Sequence, residues 1–117
     1  MEEALPVYEQ LGDIRSHALT MGKIADIHEA RGQFDEALRI RTEQVLPVYE
    51  KLKARREILV CEANMAKGLL KRKRPGDQPE AERLLRRALA EAEAMKLPEA
   101  AIIQGILSRL SAPSAPR

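Results

Sequence analysis

The chain has 117 residues, 44% hydrophobic and 32% charged, with a formal net charge of +2. That is one domain's worth of protein with enough apolar side chains for a modest core. A charge so near zero gives no global field to recruit nucleic acid or an anionic membrane. No run approaches the ~18 apolar residues of a membrane helix, and MEEALPVYEQ lacks the basic and apolar regions of a signal peptide. Cys61 stands alone, so no internal disulfide is available and a reducing compartment is the default. The expectation is a cytoplasmic protein.

Six helical pieces follow in chain order. Residues 3–11 read as the tail of a helix, stopped by Gly12 and Asp13, with Asp13 placed to cap the next one. The second piece runs to about Arg31, with Ile14, Ala18, Met21, Ala25 and His28 as one stripe at spacings of three and four. The third spans about 35–52, with Ala37, Ile40, Val45, Val48, Tyr49 and Leu52 apolar. Pro47 lies inside it, where it removes a hydrogen bond at a cost of ~3 kcal/mol. The unbroken stripe across the proline predicts a kinked helix rather than a new one. The fourth piece covers about 54–73 and is broken by Pro75, Gly76 and Asp77. The fifth starts at Pro79, a favoured first position, and Ala81, Leu84, Leu85, Ala88, Leu89, Ala92 and Met95 give it the clearest apolar face. The sixth starts at Pro98 and ends near Leu110. Residues 111–117, SAPSAPR, read as a disordered tail.

A repeat runs through these pieces. LPVYEQL at 5–11 returns as LPVYEKL at 46–52, a shift of 41 that also carries Arg15 onto Arg56, Leu19 onto Val60 and Ala25 onto Ala66. Gly32, Ala37 and Ile40 return as Gly76, Ala81 and Leu84 at a shift of 44. Self-similarity at such a period is the signature of stacked helical units. Unit boundaries fall near residues 12, 53 and 97, within a repeat domain over 1–110.

The turn ARGQFDEAL at 30–38 carries a family resemblance. Gly32, Phe34 and Ala37 are spaced like the turn and second helix of a tetratricopeptide repeat. Ile24, Ala25 and His28 fall where that family places the packing residues of its first helix. The longer period is similar to that of extended repeats such as those in kinesin light chains. The resemblance implies an all-α fold, a right-handed superhelical stack of antiparallel helix hairpins, and a segment of a longer array. It also implies a non-catalytic scaffold that binds a protein or peptide, with no cofactor. In the family the ligand lies in a groove lined by the first helix of each hairpin. That groove would show Leu19, Gly22, Asp26 and Glu29 from one helix and Val60, Ala63, Lys67 and Lys71 from the next. The clamp that some relatives use for chaperone tails needs Lys, Asn and Arg there, and Asp26 and Glu29 speak against it.

Other candidates are weaker. Lys71, Arg72, Lys73 and Arg74 form the sharpest local charge. A solvated helix end, favoured by the helix dipole, is the plain reading, and a phosphate or nuclear-import contact is the functional one. No aromatic stands nearby for stacking on single-stranded nucleic acid, so nucleic acid is not the expected partner. His28 is a packed histidine and Cys61 a core thiol, and no His or Cys spacing supports a metal. A regulatory piece of a larger signalling protein or enzyme is a third reading. Leu5, Val7, Tyr8 and Leu11 form an apolar edge with little to cover it, which predicts a homodimer through the N-terminal edge.

Overall fold

A computed structural model describes residues 7–111, with side chains over 12–110. These residues form α1 (Val7–Ala30), α2 (Phe34–Ile40), a π-helical turn (Arg41–Val45), α3 (Leu46–Lys51), α4 (Arg55–Arg72), α5 (Asp77–Ala94) and α6 (Glu99–Ser111). No strand occurs among the described residues, and none of their helices is long and apolar enough to cross a membrane. The fold is all-α.

Three of the turns are built alike. Gly32, Lys53 and Lys96 each take a left-handed conformation, with φ of 77°, 54° and 57°. The amide after each one bonds five residues back: Gln33 to His28, Ala54 to Tyr49 and Leu97 to Ala92. This pairing satisfies the orphan carbonyls at a helix C-terminus and turns the chain back on itself. Glycine adopts the conformation freely at 32, whereas each lysine gives up roughly 1 kcal/mol to do so.

The structure departs from the sequence reading at three places. The break expected at Gly12 and Asp13 is absent: α1 runs unbroken from Val7 to Ala30. Glycine has helical dihedrals within its range and costs only about 1 kcal/mol inside a helix. At the equivalent point of the second copy the chain does turn, at Lys53. The second departure is at Pro47. The helical path continues there, but through the wide turn Arg41–Val45 that feeds α3. Leu46 N–H bonds to the Arg41 carbonyl, five residues back. Proline crowds the preceding turn and offers it no donor, and a π turn just ahead is one way a helix accommodates the insult. Third, α5 begins at Asp77 rather than Pro79, which leaves the proline in the first turn, where no donor is needed. The side chains of the expected self-association edge, Leu5, Val7, Tyr8 and Leu11, lie outside the described residues, as does the tail over 112–117.

Packing proceeds along the chain. α1 lies on α2 and the π turn, α4 on α2, α3 and α5, and α5 on α6. Small residues sit where helices approach: Ala18, Ala25, Ala66, Ala81, Ala88 and Ala92 are fully buried, beside Leu59 and Leu85. Replacing Ala25 or Ala81 with Leu should overpack these crossings and lower stability by about 1–3 kcal/mol. Urea unfolding of both variants checks this; unchanged midpoints would contradict the packing.

Candidate functional site: a groove between α1 and α4

α1 and α4 run parallel, side by side, and are clasped at two levels. Arg15 Nη1 donates to Glu57 Oε2 at 2.9 Å, and Lys71 Nζ donates to Glu29 Oε2 at 2.5 Å. Both pairs join residues 42 apart. Fourteen residues of helix separate the clasps on α1, about 21 Å at 1.5 Å per residue. Between these two levels lies a groove of about 420 Å³.

The walls come from Ala18, Leu19, Gly22 and Asp26 on α1 and from Val60, Cys61 and Asn64 on α4. Arg41, Val45 and Tyr49, from the π turn and α3, also line it, and Lys23, Arg56, Glu57 and Glu99 complete the lining. Leu19 keeps 49% of its surface exposed. Glu99 Oε2 accepts two bonds from Arg56, at 3.0 and 2.6 Å, while its Oε1 is buried without a partner among the described residues. These bonds hold the Glu99 carboxyl below its usual range. Of the charges in the lining, Asp26 pairs with Arg41, Glu99 with Arg56, and Glu57 with Arg15 from outside it, while Lys23 has no ion-pair partner among the described residues.

Arg41 is the unusual member. Its side chain is 5% exposed, and it reaches Asp26 Oδ1 at 2.7 Å through Nη2 and Glu29 Oε1 at 2.5 Å through Nη1. The shift of 44 that carries Ile40 onto Leu84 carries Arg41 onto Leu85, a fully buried core residue. A buried guanidinium needs its counter-ions close, because desolvation otherwise outweighs what it gains. Its carbonyl is also engaged: Leu46 N–H and, at 3.9 Å, the Cys61 thiol both donate to it. Burial pushes the Cys61 thiol up to about 12, so it stays protonated, as a core thiol does.

Of the residues expected in the groove, Leu19, Gly22, Asp26 and Val60 line it. Glu29, Ala63, Lys67 and Lys71 do not. Glu29 turns toward Arg41, and Lys71 toward Glu29; Ala63 is buried and Lys67 is exposed elsewhere on α4. Sequence reasoning missed Arg41, Tyr49, Asn64 and the Arg56–Glu99 pair. The pairing of Arg41 with Leu85 across the repeat was the one available signal for the first of these. His28 is only partly buried and meets Gln33 Oε1 at 2.6 Å, bracing the α1–α2 turn.

The basic run ends α4. Lys73 closes the helix in a left-handed conformation, with φ of 61°. Arg72 donates to both oxygens of Asp77, at 2.9 and 2.7 Å, and to Asp35 at 2.8 Å; Arg74 reaches Asp35 at 2.6 Å. Three of the four cations are therefore in ion pairs. Among the described residues no group of three or more His, Cys, Asp or Glu is arranged to hold a metal. The sequence matches no protein-family model, no curated protein and no solved structure.

These pairs set an acid limit on stability. Arg72, with the Arg74 amide, brings Asp77 down to about 2, and Arg72 and Arg74 lower Asp35. Burial pushes Glu29 up, but hydrogen bonds from Lys71 and Arg41 outweigh it and hold the carboxyl low. Carboxyls depressed in the folded state stabilise it above their unfolded pKa values, near ~4, and stop doing so as pH falls through the folded ones. Stability should be level from pH 7 to about 5 and fall between about pH 4.5 and 2. Urea midpoints against pH test this, with a shallower loss expected for Asp77→Asn. A level profile down to pH 3 would contradict it.

Proposed function

We propose that this chain is a non-catalytic module of the tetratricopeptide kind that binds a protein segment or peptide in the groove between α1 and α4. The spacing of inter-helix contacts supports the hairpin reading. α4 and α5 are joined by Arg55–Glu91, Glu62–Arg87 and Arg72–Asp77, at separations that shrink from 36 to 25 to 5 toward their turn, as in an antiparallel pair. α1 meets α4 at an offset of 42, and α4 meets α6 through Arg56–Glu99 at 43. These offsets lie close to the shift of 41 in the sequence, so parallel first helices would recur once per unit.

The observation that carries the binding role is the groove itself. It has an apolar floor around Val45 and Tyr49, a half-exposed Leu19 on its wall, and charges that, Lys23 apart, are matched within the chain. Such a surface rewards apolar side chains flanked by hydrogen-bonding groups rather than a polyanion. The nucleic-acid alternative is less favoured, because Lys71, Arg72 and Arg74 already face carboxylates.

The test uses two exposed apolar residues of similar character, one in the groove and one outside it. Peptides selected from a random display library should lose at least tenfold in affinity to Leu19→Glu. They should bind Ile102→Glu as they bind the parent, since Ile102, 61% exposed, lies on α6 and is not part of the groove lining. Selected peptides indifferent to Leu19→Glu, or no selectable peptide at all, would overturn the reading.

A further inference from the structure

A second cavity, of about 360 Å³, lies at the α1–α2 turn and shares no lining residue with the groove. His28, Phe34, Asp35, Arg72 and Arg74 are on its walls. The two arginines there are unequal. Arg72 is oriented from behind by Asp77, which is 7% exposed and accepts from Nε and Nη2 together. A bidentate carboxylate of this kind fixes the plane of a guanidinium. The same Asp77 Oδ2 takes the Arg74 backbone N–H at 2.9 Å, so one buried carboxylate also fixes the chain that carries the second arginine.

What remains of Arg72 is the Nη1 edge, and it meets Asp35 Oδ1 at 2.8 Å; Arg74 Nη2 meets Asp35 Oδ2 at 2.6 Å. Asp35 therefore bridges two guanidiniums, one oxygen to each, while 59% of its side chain stays exposed. An ion pair so open to water adds little to stability, whereas the Asp77 pair behind it is sheltered. The geometry is that of an anion clamp whose place is held by a residue of the chain. Lys73 stands beside it with no ion-pair partner among the described residues.

We propose that Arg72 and Arg74 form a binding site for a phosphate group and that Asp35 occupies it as an internal stand-in. The ligand's oxygens would take the bonds now made by Asp35 Oδ1 and Oδ2. Glu36, also on the cavity wall, is held by Arg39. With Asp35 in place the free edges of both guanidiniums are taken, so the parent holds phosphate weakly. The site would respond to whatever moves α2, which carries Asp35, away from the end of α4.

Isothermal titration of inorganic phosphate and of O-phosphoserine into the full chain tests this. Asp35→Asn should bind phosphate at least tenfold more tightly than the parent. Glu43→Gln removes the same charge from an exposed residue outside the cavity and should stay within twofold of the parent. Asp35→Asn combined with Arg74→Gln should lose the gain. Phosphoserine binding more tightly than phosphate marks a phosphorylated chain as the ligand, and equal binding marks the free anion. If Asp35→Asn, folded by circular dichroism, binds no better than Glu43→Gln, or keeps its gain without Arg74, the proposal is overturned.

Discussion

A buried guanidinium has to be surrounded before a chain can close over it, and Arg41 imposes that requirement here. Its side chain draws Asp26 and Glu29 from α1 to the π turn, while Lys71 of α4 meets Glu29 from the other side. Three separate segments are thus tied through two carboxylates. The tie also shapes the groove, because Arg41 is part of its lining and the Lys71–Glu29 contact is one of its two clasps. A leucine at this position, as at 85 in the other copy, would bury more simply. Replacing buried ion clusters by apolar groups is often neutral or stabilising, so stability alone does not account for an arginine there.

Pro47 and Arg41 are linked through the backbone. The wide turn that accommodates the proline spans Arg41–Val45, and the Arg41 carbonyl serves both Leu46 N–H and the Cys61 thiol. Burying a carbonyl is cheap only when it is hydrogen-bonded. A local irregularity dictated by one residue is in this way fastened to the neighbouring helix α4. Turns of this type are frequent at functional sites, and the groove opens beside this one.

Much of the helical plan was legible in the sequence. Apolar spacing in α5 and the Pro-Gly-Asp break before it announce themselves locally, and Ala25 and Ala81 sit at zero exposure as the repeat register implies. Gly12 was misread because glycine followed by aspartate is a valid stop signal, and only tertiary context decides whether it is used. The π turn was illegible for a different reason. A proline signals that a helix must adjust, but not whether it kinks, restarts or widens. For the groove, the register placed Leu19, Gly22, Asp26 and Val60. It overreached at Glu29 and Lys71, where opposite charges 42 residues apart close the groove rather than line it. No single-helix pattern can show that, since the pairing exists only once α1 and α4 lie side by side.

The central claim is that Arg41 and its carboxylates act as one matched set rather than as separate contacts. A double-mutant cycle measured by urea unfolding at pH 7 tests it most directly. Glu29→Gln alone leaves the guanidinium buried with Asp26 as its remaining carboxylate and should cost about 3 kcal/mol or more. Adding Arg41→Met removes the charge that needed the partner, and the double variant should return to within about 1 kcal/mol of the parent. Costs that simply add across the two substitutions would contradict the account.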